Sequence, residues 1–305
     1  MKVSVIGAGN VGGTLAQRIA EANLSDVILV DIAEGIPQGK GLDLADARAI
    51  TNTDCIVKGT NDYSQISDSS VVVITAGLPR QPGMTREDLI AKNVAIIKNV
   101  VAEIVKYAPE AIILMVTNPL DILTNMVLKA SGFDKKKVIG MGCVLDSSRF
   151  ANLIAQEANV SIKEVEALVI GVHGQGMIPV ISQSKVSGKN LGEVFSPEKC
   201  DELAENTVMR GAQIVKCLGK GSAYYAPSAA AFSMIRAILN DEKKILPASV
   251  YLEGEYGIND VCIGVPIRLG RCGVEEIIEL DLTDKEKAQL TASAESLKSA
   301  SLNLL

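Results

Sequence analysis

A chain of 305 residues with 48% hydrophobic side chains is long enough for one large or two ordinary domains with buried cores. Thirty basic against thirty-six acidic residues give a formal charge of −6 with no basic run, which argues against nucleic acid and acidic membrane surfaces as partners. The six cysteines form no Cys-x-x-Cys pair and have no histidine at ligand spacing, so neither a metal site nor a disulfide framework is expected.

The first apolar run, residues 2–6, follows Met1 directly, and no leader or membrane-spanning run is visible, so a cytoplasmic home is expected. Gly7, Gly9 and Gly12 come next as Gly-x-Gly-x-x-Gly. Val11, Leu15, Ile19 and Ala22 then recur at helical spacing, with Gln17, Arg18 and Glu21 on the other face. A second apolar strand, 27–30, ends in Asp31. Each part of this βαβ unit has a physical task. Gly7 permits a tight turn, Gly9 a close backbone approach to a pyrophosphate, and Gly12 close packing of helix on strand. The pyrophosphate would sit on the positive helix N-terminus, and Asp31 would accept the adenosine ribose hydroxyls. No basic residue follows Asp31 before Lys40, and a 2′-phosphate would be repelled, so the expected cofactor is NAD rather than NADP.

Further strands are expected at 55–58, 71–75, 112–116 and 138–140. Helical patterns alternate with them, the clearest at 85–107, where Ile90, Val94, Ile97, Val101 and Ile104 share a face. This alternation calls for an α/β fold, a Rossmann doubly wound parallel sheet. Thr75-Ala76-Gly77 and Thr117-Asn118-Pro119 lie at strand C-terminal ends, where ligands of such sheets collect. Between strand and long helix, residues 78–86 carry two prolines, a glycine, Arg80 and Arg86. This segment reads as a lid whose arginines grip an anion, or equally as a solvated loop. Asn118 reads as a hydrogen-bonding group for a carboxamide or hydroxyl, or as a turn residue before Pro119.

After residue 143 the texture changes. A helix from 146, strands at 166–172, 178–186, 249–253 and 262–269, helices at 207–218 and 229–239, and a polar helix from 283 suggest an α+β domain. The expected division is therefore 1–143 for the nucleotide and 144–305 for the substrate. His173, the only histidine, falls on a glycine-rich loop after the apolar run 168–170, a setting that favours function over packing. Asp146 and Arg149 share one helix face. They read either as a surface pair or as a carboxylate orienting an imidazole beside a guanidinium that forks onto a substrate carboxylate. Spacing alone does not choose.

Taken in order, Gly7-Ala-Gly-Asn-Val-Gly12, Thr75 to Arg86, Val116-Thr-Asn-Pro119, Val144-Leu-Asp-Ser-Ser-Arg-Phe150 and Gly171-Val-His-Gly174 resemble the lactate/malate dehydrogenase family over essentially the whole chain. The likeness is greatest to its lactate-dehydrogenase-like malate dehydrogenase branch. That resemblance implies His173 as proton acceptor and donor, Asp146 as its orienting partner, Arg149 as clamp on the substrate carboxylate and Arg86 as polariser of the carbonyl. Asn118 is implied near the reacting oxygen and the nicotinamide, and Arg80 as partner of a second carboxylate, which points to malate rather than lactate. The implied cofactor set is Gly7, Gly9, Asn10, Val11, Gly12, Asp31, Thr75, Ala76, Gly77, Asn93, Val116 and Asn118. The resemblance also implies a homodimer or homotetramer acting on a small dicarboxylate. The other readings are an L-lactate or broader 2-hydroxy-acid dehydrogenase and, outside enzymes, an NAD-binding sensor or inactive interaction module. Two positions depart from the family pattern: Gln175, where an acid commonly follows the His-Gly pair, and Cys143, where a small or hydroxylated residue is expected. Ala223 leaves room for a dicarboxylate.

Overall fold

The computed structural model describes residues 1–78 and 86–302, with backbone alone at 86–89 and 302. Two compact units emerge. The first comprises Met1–Met141, Tyr224–Lys244 and Leu269–Glu275, and the second Gly142–Ala223, Ile245–Arg268 and Glu276–Leu305. Sequence reading cuts the chain once, after 143, whereas these units interleave.

In the first unit the chain runs β1 (Lys2–Ile6), α1 (Asn10–Glu21), β2 (Asp26–Val30), α2 (Ile36–Thr51), β3 (Val57–Thr60), β4 (Val71–Ile74), α3 (Arg86–Tyr107), β5 (Ile112–Met115), α4 (Leu120–Ser131) and β6 (Val138–Gly140). The strands lie in the order β3-β2-β1-β4-β5-β6, all parallel. Runs such as Val71–Ile74 are buried throughout, as a sheet covered on both faces requires. Strand order reverses between β1 and β4, which opens a crevice at their C-terminal ends. The third strand sits two residues later than expected, because Gly59 is where α2 touches the sheet. A methyl group at Gly59 would overlap the Pro37 carbonyl, and one at Gly41 would lie 2.8 Å from the Gly59 nitrogen. The core gathers Ile6, Val30, Ile74, Ile97, Ile104, Ile113 and Leu123 between sheet and helices.

The second unit begins with α5 (Gly142–Ala158), followed by β7 (Val165–Glu166), β8 (Val169–Gly171), β9 (Met177–Pro179), β10 (Lys185–Val186), β11 (Lys189–Asn190), α6 (Leu191–Val194) and α7 (Pro197–Leu218). Next, α8 (Tyr225–Leu239) returns to the first unit, where the Arg18 side chain of α1 donates to Ser228 Oγ at 3.1 Å. The chain closes with β12 (Lys244–Glu253), β13 (Asn259–Gly270), β14 (Gly273–Ile277) and α9 (Asp284–Leu302). β12, β13, β8 and β9 lie side by side, with β14 beside β13. Phe150, Ile154, Val169, Met177, Leu191 and Leu203 form this unit's own core.

Three expected elements are corrected. The run 166–172 is two strands in different sheets, with β7 beside β10 and β8 between β13 and β9. The run 178–186 is not one strand. Pro179 ends β9 because it has no N–H to donate, and a 3₁₀ turn, Ile181–Gln183, follows. Ser184 then bonds locally, its Oγ donating to the Val180 carbonyl at 2.7 Å and accepting from the Leu168 N–H at 3.2 Å. The helix expected at 207–218 starts ten residues earlier, at Pro197, with Ser196 as N-cap accepting from the Lys199 N–H at 3.3 Å.

Candidate active site

The first unit builds a dinucleotide cradle at the strand-order reversal. Gly7, at φ 106°, donates to the Val30 carbonyl at 2.7 Å, and a methyl group there would stand 2.6 Å from the Ala76 nitrogen. One at Gly12 would overlap the Gly7 carbonyl, whereas one at Gly9 would meet nothing within 4 Å. The motif's geometry is thus as its chemistry demands: two glycines are spent on packing, and the third leaves the loop open. Gly9 also N-caps α1 without a side-chain bond, so the helix's first N–H groups face the loop. Exposed Asn10 and half-buried Val11 start that helix.

Asp31 holds more than sequence reading assigned to it. Its Oδ2 accepts from the Ala8 N–H at 2.6 Å and its Oδ1 from the Ala33 N–H at 2.9 Å. The carboxylate is therefore fixed at the end of β2 and ties down the glycine loop. Its remaining lone pairs suit vicinal hydroxyl donors, and its charge opposes a phosphate. At the neighbouring strand ends, Thr75 Oγ1 donates to the Ile6 and Gly7 carbonyls at 3.1 and 3.0 Å, and Thr117 Oγ1 to Ala76 at 2.8 Å. Gly77 has no room for a side chain against the Thr117 methyl. Buried Asn93 accepts from the Leu78 N–H at 2.8 Å and donates to the Asn118 carbonyl at 2.9 Å, stapling the chain after β4 to the chain after β5. Val116 is buried beneath, and the Asn118 side chain is exposed at the sheet edge. An open glycine loop, a bare helix N-terminus and an acid at the next strand end together fit NAD.

The second unit gathers three ionisable side chains. Asp146, on α5, is fully buried. Its Oδ2 lies 2.7 Å from His173 Nδ1 and its Oδ1 3.2 Å from Arg149 Nη1. The surface-pair reading of Asp146 and Arg149 is thereby excluded. Desolvation pushes the Arg149 guanidinium below its usual range, with Asp146 opposing that shift and Arg210 adding to it. Arg149 lies against Gly211 of α7, and among the described residues its buried Nε has no hydrogen-bond partner. A buried, partly unsatisfied guanidinium is chemically suited to accept a small anion.

Secondary contacts set this geometry. Ser147, next to Asp146, accepts from the Val169 N–H at 2.8 Å and pins α5 to β8. The loop after β8 turns at Gly171 (φ 87°) and Gly174 (φ 118°), and Ser293 of α9 donates to the Gly176 carbonyl at 2.8 Å. Sequence reading missed Ser147, which lies inside the Val144–Phe150 motif, and Ser293, which stands 117 residues from Gly176 and carried no signal in the sequence. Cys143 fits because Gly264 opposite has no side chain: a methyl group there would collide with its Sγ, which lies 3.5 Å from the Gly171 carbonyl. Gln175 is exposed at the turn. Arg80, the segment 79–85 and the side chain of Arg86 lie outside the described residues. Among the described residues no cluster of three His, Cys, Asp or Glu groups could hold a metal, and no helix is long and apolar enough to cross a membrane.

Comparison with known proteins agrees with this geometry. The profile of the lactate/malate dehydrogenase NAD-binding domain matches residues 1–140, and that of the family's alpha/beta C-terminal domain matches 143–303. A malate dehydrogenase of Methanosarcina barkeri is 52% identical over 297 residues, covering 97% of each chain. Among solved structures, malate dehydrogenase of Salinibacter ruber superposes with a TM-score of 0.94 at 45% identity, covering 99% of this chain and 97% of that one. A lactate dehydrogenase of Cryptosporidium parvum, solved with lactic acid and the dinucleotide, reaches 0.96 at 41% identity with the same coverage. Backbone likeness thus spans both substrate classes. On matched domains, identity and site geometry together, the chain belongs to the lactate/malate dehydrogenase family.

Proposed function

We propose that the protein is an NAD-dependent malate dehydrogenase interconverting (S)-malate and oxaloacetate. The observation that carries the chemistry is the buried Asp146 carboxylate shared between His173 Nδ1 and Arg149. A carboxylate at Nδ1 holds the proton on that nitrogen, which leaves Nε2 as the basic one. His173 Nε2 takes the malate hydroxyl proton as C2 becomes a carbonyl, and returns it in the reverse direction. Asp146 offsets the imidazolium charge that forms. Arg149 forks onto the carboxylate beside C2, a role its unsatisfied Nε and burial favour. Bound NAD supplies the acceptor for the hydride leaving C2. The residues that would hold it are the glycine loop with Asn10 and Val11, Asp31, Thr75, Ala76, Gly77, Asn93, Val116 and Asn118. Asn118 would also donate to the reacting oxygen.

Malate rather than lactate is supported by the relatives at about 50% identity that bear that name. It is supported also by Arg80, whose charge would pair with the second carboxylate and be left unpaired in a closed site holding pyruvate. Arg86 would polarise the C2 carbonyl. Initial rates with oxaloacetate and pyruvate at equal NADH test the reading, and a clear pyruvate preference refutes it. Arg80→Gln should lower the oxaloacetate-to-pyruvate ratio by at least about tenfold, the loss of one charge-assisted contact. An unchanged ratio removes Arg80 from this role.

A homodimer or homotetramer is favoured by apolar side chains left in the open on α2 and α7, where Leu42 is 69%, Ile50 89% and Met209 52% exposed. A cytoplasmic setting is favoured by the free thiols of Cys55, Cys200, Cys217 and Cys272. A place in the tricarboxylic acid cycle rests only on the proposed malate–oxaloacetate interconversion.

A further inference from the structure

Lys40 was noted in the sequence only as the first basic residue after Asp31, yet the fold carries it to the glycine loop. Its ammonium donates to the Ala8 carbonyl at 2.7 Å and to the Gly9 carbonyl at 3.1 Å. Pro37 and Gly41, on either side of it along α2, are pressed against β3, which directs Lys40 towards the loop. Gly13 lies under the Lys40 side chain: a methyl group there would stand 2.9 Å from Nζ and 3.3 Å from Cδ. The nucleotide motif needs Gly7, Gly9 and Gly12 but does not require a glycine at 13, and the atoms that a side chain at 13 would meet belong to Lys40.

The consequence follows from peptide planarity. In a trans peptide the carbonyl and the next N–H point in opposite directions, so holding the Ala8 and Gly9 carbonyls turns the Gly9 and Asn10 N–H groups away from Lys40. Gly9 O also takes the first helical bond, from the Gly13 N–H at 3.0 Å, while Asp31 holds the Ala8 N–H at 2.6 Å. Three successive peptide groups are therefore set by one cation, one anion and one helical bond. A positive charge also stands beside the loop that a diphosphate would approach.

We infer that Lys40 is a positioning residue for the cofactor's diphosphate, fixing the Ala8 and Gly9 peptides so that the loop's N–H groups are preorganised for the anion. This rests on the proposed use of NAD. The test is direct binding of NADH, followed by its fluorescence, and of ADP-ribose, followed by calorimetry, to the wild type, Lys40→Met, Lys40→Arg, Gly13→Ala and the double variant Gly13→Ala/Lys40→Met.

Lys40→Met should weaken both ligands about tenfold or more, the scale of a lost charge-assisted bond. Lys40→Arg should recover part of that loss, and the KM for malate at saturating NAD should stay within twofold. Gly13→Ala favours the helix by propensity, so it should fold, and by displacing the ammonium it should weaken NADH in the wild-type background but not in Lys40→Met. The inference is overturned if the wild type binds and Lys40→Met matches it within twofold, or if Gly13→Ala costs the same in both backgrounds. A wild type that binds no NADH overturns the NAD reading, and this inference with it.

Discussion

Replacing Asp146 by Asn removes one charge and almost no volume from the centre of the proposed catalytic group. The carboxylate is fully buried, 2.7 Å from His173 Nδ1 and 3.2 Å from Arg149 Nη1, so water does not screen it. With charge centres roughly 4 Å apart and an effective dielectric of about 20, its attraction for the imidazolium is at most about 4 kcal/mol. The lower bound comes from neighbouring charges in general, which move a titration by at least about one unit, or about 1.4 kcal/mol. The expected fall in kcat is therefore about 10- to 1000-fold in either direction. The assay is the pH dependence of kcat/KM for malate oxidation and for oxaloacetate reduction. Oxidation needs a neutral imidazole and reduction a protonated one, so the limb that His173 sets should move to lower pH in both directions by at least about one unit. Unchanged binding of NADH and a similar thermal midpoint would show that the fold persists. A fall in rate with the limb unmoved would refute the argument, because the charge of Asp146 would then not act on His173.

Arg149→Lys keeps the charge but cannot fork, and should raise the KM for malate about tenfold or more while NADH binding holds; equal effects on both would refute the clamp. Asp31→Asn retains an acceptor for Ala8 or Ala33 but not the charge. The preference for NADH over NADPH in kcat/KM should fall at least about tenfold, and an unchanged ratio would mean that some other group excludes the phosphate. Glu286 caps α9. Burial pushes its carboxyl up, but hydrogen bonds from Ser182 and Thr283 outweigh burial and leave it below its usual range. A depressed folded value stabilises the fold above the unfolded carboxylate pKa, about 4.3, and that contribution is lost as pH falls through the lower folded value. Glu286→Gln should therefore cost about 1–2 kcal/mol near neutral pH, with the thermal-midpoint difference from wild type shrinking below about pH 4. A difference independent of pH would refute the role of the charge.

The elements legible beforehand were those with a strong pattern of their own, whatever the distance to their partners. Strands 2–6, 27–30 and 71–74, and the helix through Ile97 and Ile104, announce themselves by uniform apolarity or by a 3.6-residue period. The boundaries that moved did so where a local device overrode the pattern: Pro179 ending a strand, Ser196-Pro197 starting a helix early, Gly59 giving way to α2. Helix α2 has a less clear pattern than α3 because its outward side chains include Leu42 and Ile50, which blur its period.

For the site, sequence by itself determined the nucleotide cradle, since glycine turn, helix and acid fall within thirty-one residues and each acts on its neighbours. It also singled out His173, the one histidine, by its setting on a glycine-rich loop at a strand end, but left Asp146 and Arg149 undecided. Spacing of three shows that two side chains share a helix face and says nothing of what that face meets. Only the tertiary structure brought Asp146 to a histidine twenty-seven residues away and Ala8 to an aspartate twenty-three residues away, and laid Lys40 over Gly13. Those distances depend on how α5 docks on β8, β1 pairs with β2 and α2 packs on β3. Such packing is set by the burial of many apolar side chains at once, not by the spacing of any pair.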